Sequence, residues 1–579
     1  MSVSIRYRMR PAPDESVVSA LSAVKGVSMR AARLLASRGI SDSSDVERMI
    51  APEYERDLHN PFLLKDMDKA VDRILRAMRD GETIMVLGDY DADGVPATVI
   101  VNDYFAKVGY SNIRLYIPHR HTEGFGISPE AVEEAKAHGV KLIVTVDCGV
   151  ADVEEVALAN SYGIDVVITD HHQTPPTLPA AYAVVDPARA DCTYPFKEIC
   201  GSAVAFKLVQ ALLITERRDI PEGWEKWLLD MVGIATVADM MPLINENRAF
   251  VSFGLRVARK GRRHGLSALA KKAGIDIAAL SEDDIGFSIA PRINAASRMS
   301  DPREALELLL STERDVADAR AKDIELLNDR RKGIVGSTTR EAKKVVHERY
   351  GTNVPAVLAL GNPTWMPSLL GLVASSLSRE FDRATFLWGR EGGEELKGSC
   401  RSDGRADVVA LMRAASTDVL AQCGGHAHAG GFVVDAKGVH RFEEELIAAH
   451  GRVVHTFPTE LEPEWVDDEL SLKDATARLI DELAPLSPFG RGNPRPRFLF
   501  RARVVGVKNF GKTGDHLEID LFADGARLSV IAFFASDEWR RIATIDADVD
   551  IVGTLERGFR GRGVRARADA LAPRGTLLS

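Results

Sequence analysis

The sequence predicts a mixed α/β protein: a parallel-sheet domain, a helical connector, a second and smaller α/β domain, and a C-terminal OB-like β-barrel. Three observations carry this. Short apolar strands alternate with amphipathic helices between residues 82 and 186, and the same alternation restarts after Gly351. From about residue 460, short strands then follow one another with turn signals between them. A chain of 579 residues is too long for one ordinary core and implies three or four domains. The composition shifts divide it into a helical N-terminal segment (1–65), the main α/β domain (66–300), the connecting helix (301–350), the second α/β domain (351–455) and the barrel (456–579).

Taken in order, SAVKGVSMRAARLLASRGI reads as one amphipathic helix ending at Gly39, and SDSSDVERMI as another behind a Ser/Asp cap. MDKAVDRILRAMRDGE is a helix stopped by Gly81. The strands of the main sheet are ETIMVL (82–87), IRLYIP (113–118), KLIVTV (141–146), DVVIT (165–169) and AYAVVD (181–186), with PATVIVNDYFAKVG, SPEAVEEAKAHG and VEEVALANSYG as the helices between them. A mostly helical region follows, including LLDMVGIATVADMMPLINENR, IAPRINAASRM and a long charged helix through Arg330 and Arg331. VPAVLAL, LLGLVASSLSREF and ATFLW build the second unit, which ends in CGGHAHAGGF. FLFRARVVGV, HLEIDLF, RLSVIAFF and DVDIVGTL are the barrel strands.

Composition narrows the class. An apolar fraction of 45% and a charged fraction of 27% are those of soluble globular proteins. The net charge of −10 gives no global sign of nucleic-acid binding, although a local basic groove can serve an acidic protein. Five cysteines (Cys148, Cys192, Cys200, Cys400, Cys423) make no CxxC pair, which favours a reduced, cytoplasmic setting; Cys148 is expected to pack rather than react. No signal-peptide core or membrane-length apolar run is present, so no membrane partner is expected.

The first strand breaks into Gly88 and then carboxylates on alternate residues, Asp89, Asp91 and Asp93, closed by Gly94. So much negative charge on one turn is costly unless neutralised, and a divalent cation does so economically. Taken alone, the turn could equally be solvated, or a calcium loop lacking the glutamate that closes an EF-hand. In parallel α/β sheets, however, ligands gather beyond the carboxyl ends of the strands. Asp147 after KLIVTV and Asp170-His171-His172 after DVVIT fall there too, which favours a metal centre.

The ordered series DYDADG, VDCG, TDHH, TVADMMPL, APRINAASRM, WMPSLLGLVAS, GSCRS, GGHAHAGGF and PFGRGNPRPRF resembles the RecJ-type single-strand-specific DNA exonucleases of the DHH phosphoesterase superfamily, over nearly the whole chain. The resemblance implies a DHH catalytic domain, a DHH-associated domain and a nucleic-acid-binding barrel. It assigns Asp91, Asp93, Asp147, His171 and Asp239 as ligands of two manganese or magnesium ions, with Asp147 as the bridge; the histidine favours manganese. Asp89 would stand in or just behind the ligand set, Asp170 would orient an imidazole, and His172 would face the scissile phosphate or a water. Arg292, Arg298 and Arg401 with Ser402 match phosphate-holding positions, and Gly424 and Gly425 before His426 would let a strand approach closely. On the barrel, Arg495, Arg497, Arg501, Arg503, Arg557, Arg560, Arg562, Arg565 and Arg567, with Phe510 and Phe559, would combine a basic groove with stacking rings; a solvated basic face is the plain alternative.

The implied activity is metal-dependent removal of mononucleotides from the 5′ end of single-stranded DNA in repair and recombination, by a monomer whose expected partners are a single-strand-binding protein and a helicase. Two other readings are a DHH phosphodiesterase for short RNA or cyclic dinucleotides, whose members mostly lack the barrel, and a non-catalytic replication scaffold, whose members lose acidic ligands. The chain departs from the resemblance in four places: Met366 and Ser368 replace a usual His and Gly, Ser297 a Gly, and Arg491 a common acid.

Overall fold

Thr83–Gly88 is the strand on which the larger unit is built. Its residues Ile84 to Leu87 are fully buried, because helices cover both faces of the sheet and the run therefore reads as continuously apolar. The preceding helix, Met67–Asp80, is stopped by Gly81 in the left-handed conformation, which turns the chain into the strand. The computed structural model describes residues 7–390, 395–457, 463–511, 514–558 and 563–578.

The main sheet is wholly parallel, in the order Ile113–Tyr116, Thr83–Gly88, Val140–Val146, Asp165–Thr169, Ala183–Val185. Strand order reverses between Thr83–Gly88 and Val140–Val146, so Asp89 and Asp147 emerge side by side at the topological switch point. Helices Pro129–Ala137 and Val153–Ser161 pack Ala131, Val132, Ala135, Val156 and Ala159 on one face. Gly94–Lys107 and Gly201–Thr215 pack against each other and cover the other face. The 37-residue helix Arg314–Tyr350, about 55 Å long at 1.5 Å per residue, lies along Ala290–Met299 and then joins Ala342 and Val346 to the core of the second α/β domain. That domain carries the sheet Leu420–His426, Ala429–Val434, Leu396–Arg401, Ala384–Gly389, Val357–Gly361. The glycine- and histidine-rich CGGHAHAGGF is its terminal β-hairpin.

The second compact unit joins the N-terminal segment to Asn60, Met240–Ser252 and the C-terminal barrel. Arg497–Phe510, His516–Ala523, Ala526–Ala532, Val564–Pro573 and Asp548–Arg557 are paired in that order, and Arg497–Phe510 closes back onto Asp548–Arg557. The strand Val564–Pro573 was not expected, because VRARADALAP is rich in Arg and Ala and has little β-branching. The N-terminal run expected to be helical over 22–40 is helical only over Met29–Ser37, and a further helix, Glu15–Ser22, precedes it. Gly26 takes a positive φ of 89° between them, and the Ser28 hydroxyl restarts the helix by accepting from Ala31 N–H. These helices share one core with the barrel: Val18, Leu21, Leu35 and Val46 pack in the same cluster as Leu479, Phe500, Ile519 and Ile551. Asn493 of PFGRGNP donates to the carbonyls of Leu486 and Pro488, and Arg248 donates to those of Leu486, Ser487, Pro488 and Met49. Among the described residues, no helix is long and apolar enough to cross a membrane.

Candidate metal centre

The carboxylates reach one place by different means. Asp91 folds the turn after the first strand, its Oδ1 accepting from the N–H groups of Asp93 and Gly94 at 2.7 and 3.1 Å. Asp93 accepts from Gly201 and Ser202 N–H, both at 2.7 Å, where the positive end of the helix Gly201–Thr215 stabilises it. Asp147 ends the Val140–Val146 strand with φ +64°, a conformation that non-glycine residues rarely adopt and that often marks a functional turn. Gly201 packs so tightly on it that a Cβ there would lie 2.2 Å from Asp147 Oδ1. Asp239 caps the C-terminal end of Leu229–Ala238, where the helix dipole disfavours a negative charge.

Asp89 Oδ1, Asp147 Oδ1 and Asp239 Oδ2 are sealed from solvent and lack hydrogen-bond partners. Burial first, and neighbouring carboxylates second, push Asp239 up to about 8 and hold Asp89 and Asp147 well above the usual carboxylate range. Such a cluster is neutralised either by protons or by a cation. His171 Nε2 stands among the carboxylates, 3.1 Å from Asp147 Oδ1, 3.7 Å from Asp93 Oδ2 and 3.8 Å from Asp239 Oδ2. Burial holds its imidazole below the ordinary value, in the neutral form that can ligate. Donor atoms of Asp89, Asp91 and Asp147 form one group within 4.8 Å of one another, and those of Asp93, His171 and Asp239 form another. Hard oxygens with one imidazole and no thiolate fit manganese or magnesium.

Asp170 was expected to orient an imidazole, and the ring it holds is that of His172. Its Oδ1 holds the His172 ring at Nδ1 (2.8 Å) and reaches only the backbone N–H of His171. Burial opposes both charges, yet this bond keeps Asp170 below the usual range and raises His172 to about 9. The His172 ring also meets Phe125 edge-on at 5.3 Å. Cys148 is fully buried and its thiol is pushed well above its ordinary value, as packing rather than reactivity requires.

Around this centre the arginines divide. Arg298 donates to the Ser368 carbonyl at 2.8 Å; burial, then repulsion from Arg120, lowers it to about 9. Arg401 donates to the Cys400 carbonyl and lies over Gly371, where a Cβ would come within 2.7 Å of its Nη2. Arg120 stacks on the Tyr90 ring at 4.7 Å, and its charge acts on Asp89, Arg298 and Arg401. Sequence reasoning missed Arg120, although it follows the carboxyl end of the Ile113–Tyr116 strand and the strand-end rule applied to the aspartates would have found it. Arg292, expected on phosphate, is instead clamped by Glu325 at 2.5 and 3.0 Å. Ser402 is likewise committed, its hydroxyl donating to the Ala406 carbonyl and accepting from Gly404 N–H. Gly425 serves its own hairpin, since a Cβ there would strike Ala429 O at 2.4 Å. Gly424 faces open space, and His426 is exposed, its Nδ1 accepting from His428 N–H.

Three family models match: the DHH family N-terminal domain over residues 83–236, the DHHA1 domain over 353–451 and the RecJ OB domain over 466–563. The chain is 33% identical over 549 residues to the single-stranded-DNA-specific exonuclease RecJ of Dickeya dadantii, covering 92% of this chain and 93% of that one. The chain belongs to the RecJ family. It is also 35% identical over 525 residues to RecJ of Bacillus subtilis, covering 90% of this chain and only 65% of that relative's length. A crystal structure of RecJ from Thermus thermophilus in complex with Mn2+ superposes with a TM-score of 0.82 at 29% identity, covering 100% of this chain and 81% of that one. The same RecJ has been solved in complex with Mg2+.

The departures from the RecJ pattern now have locations. Met366 is the N-cap of Pro367–Phe381 and gives it no side-chain cap. Ser368 donates its hydroxyl to the Arg298 carbonyl at 3.0 Å, while Arg298 donates to the Ser368 carbonyl, so each residue ties the other across the two α/β domains. On the barrel, five of the arginines expected to form a basic groove are paired with carboxylates. Arg497 meets Glu464 and Asp569, Arg501 meets Glu469 and Asp550, Arg503 meets Asp548, Arg557 meets Asp481, and Arg565 meets Glu556. Arg495 lies over the Phe489 ring. Phe559, Arg560 and Arg562 lie outside the described residues.

Proposed function

We propose that this RecJ family chain hydrolyses single-stranded DNA from the 5′ end, releasing mononucleotides, with two manganese or magnesium ions and a role in repair and recombination. One observation carries the reading: buried carboxylates with oxygens that lack hydrogen-bond partners stand at the sheet's switch point beside guanidiniums that, among the described residues, form no carboxylate ion pair. A cation and a phosphate complete both sets together. Asp89, Asp91 and Asp147 would hold one ion and Asp93, His171 and Asp239 the other, with Asp147 near enough to His171 to serve both. When bound, the ions supply a water activated near neutral pH and neutralise charge on the phosphoryl oxygens. Asp170 fixes His172 through Nδ1, so the imidazolium carries its other proton at Nε2 for a phosphate oxygen. Arg298 and Arg401, with Arg120 braced on Tyr90, hold the diester in place.

The test is an end-labelled oligonucleotide offered as single strand, as duplex and as RNA, each with manganese, magnesium or chelator. Mononucleotides released stepwise from the 5′ end of the single strand, and none with chelator, are expected. Cleavage that persists in chelator, or a preference for duplex, overturns the reading.

A further inference from the structure

Arg292 is committed to Glu325, yet the same long helix carries two donors that nothing in the described chain meets. Asn328 is fully buried and its Nδ2 has no hydrogen-bond partner. One turn further on, Arg331 Nε is also sealed from solvent and unpartnered. Arg331 Nη2 donates to Asn328 Oδ1 at 2.9 Å, which uses the amide's oxygen and leaves its N–H groups over. A buried donor without an acceptor is costly, and two are kept here side by side.

The surroundings select the chemistry of what would meet them. The helix Arg314–Tyr350 packs on Ala290–Met299, which carries Arg298. Burial and the charge of Arg292 lower Arg331, and burial followed by the charges of Arg120 and, more weakly, Arg331 lowers Arg298. Among the described residues, Glu325 answers Arg292, while neither Arg331 nor Arg298 has a carboxylate ion pair. Amide and guanidinium donors with uncompensated positive charge call for an anion rich in acceptor oxygens.

We propose that Asn328 and Arg331 form a seat for a backbone phosphate of the bound strand, distinct from the phosphate that Arg298 and Arg401 hold at the metal centre. The proposal rests on the nuclease reading for its ligand and deepens it. The phosphate belongs to the sugar–phosphate backbone of DNA or RNA, or is free phosphate, and three measurements separate these sources. Steady-state cleavage of oligothymidine by the full chain with saturating magnesium is followed across a salt series. Arg331→Gln is expected to raise KM about tenfold with kcat nearly unchanged. It should also flatten the slope of log kcat/KM against log salt by about 0.7, the counterion release of one single-strand phosphate. Arg331→Lys should keep the slope, and Arg330→Gln, at an exposed neighbour, should change neither quantity.

Oligouridine should compete for the site and lose affinity equally in Arg331→Gln, since the seat reads phosphate rather than sugar. Millimolar inorganic phosphate should raise the melting temperature of the wild type more than that of Arg331→Gln. Wild-type KM and slope in Arg331→Gln overturn the seat, as does a loss of affinity with unchanged slope and lowered melting temperature, which marks a packing role. If the wild type cleaves no single strand, the nuclease reading fails, and the phosphate measurement alone decides the seat: an Arg331-dependent shift keeps it, and an equal shift removes it.

Discussion

The barrel and the candidate metal centre treat charge in opposite ways. On the barrel, arginine closes on carboxylate: Arg501 on Glu469 and Asp550, Arg503 on Asp548, Arg557 on Asp481. Around the candidate metal centre, Arg298 and Arg401 have no carboxylate ion pair among the described residues, and Asp89, Asp147 and Asp239 keep oxygens without a hydrogen-bond partner. Exposed pairs of the first kind contribute about 0–1 kcal/mol each and mostly set surface register. Open charge of the second kind costs stability and is kept where a ligand supplies the partner. A count of arginines therefore locates no binding surface until their partners are known.

The largest effect should come from opening the metal centre further. Asp147→Ala removes the carboxylate that stands between both donor groups. Turnover should fall by on the order of a thousandfold or more, with the fold kept. Nucleotide release at saturating manganese, with circular dichroism as the folding control, decides this; near-normal turnover would remove Asp147 from the site.

Next come the arginines themselves. Arg298→Gln or Arg401→Gln should lower kcat/KM by roughly 10- to 100-fold, the worth of one charge-assisted contact at ~1.5–3 kcal/mol. The paired Arg501→Gln and Arg503→Gln together should change it by less than about twofold and leave its salt dependence alone. Equal losses from both pairs of variants would break the contrast between the barrel and the candidate metal centre.

A carboxyl with neither cation nor metal sharpens the contrast through pH. Burial pushes Asp152 up to about 6, against a hydrogen bond from Ile127 N–H. Between the unfolded value near 3.8 and this one, the folded chain keeps a proton that the unfolded chain releases, so stability falls as pH rises across that window. Asp152→Asn has no such proton. Its melting temperature should gain on the wild type from pH 4 to 6 and then hold a constant lead; a lead independent of pH would contradict the shift.

The smallest effect concerns Met366, where RecJ proteins usually carry histidine. As the N-cap of Pro367–Phe381 it offers no donor, and histidine would add one beside the helix's own N–H groups. Met366→His should raise kcat/KM on a short oligothymidine by about two- to fivefold, within the range of a partly exposed contact. Unchanged kinetics with a lowered melting temperature would make Met366 a packing residue.

The metal centre was largely legible in the sequence because one rule, polar residues at the carboxyl ends of parallel strands, finds Asp89, Asp147 and His171 without knowledge of packing. Asp239 lies on no strand and came only from the resemblance to known motifs. What stayed hidden are partnerships between distant residues. Nothing in APRIN tells that Arg292 meets Glu325, and nothing in TDHH tells which imidazole Asp170 grips. Asn328 and Arg331 sit in a charged helix whose sequence looks solvated throughout, and only burial separates them from Arg330. The barrel's ion pairs were illegible for the same reason, since cross-strand register decides which arginine faces which acid.

The shared core of the N-terminal helices and the barrel bears on how the chain is made. Arg38 reaches Asp467 across 429 positions of sequence, and Val18, Leu21 and Leu35 share their core with barrel residues such as Phe500 and Ile551. At roughly 5–20 residues per second, the first helices leave the ribosome tens of seconds before the strands that cover them. During that interval their apolar faces are open to chaperones or to another nascent copy. Completion of this unit therefore waits until the barrel strands have been made, whereas the main α/β sheet can close around Thr83–Gly88 as soon as its own strands have emerged.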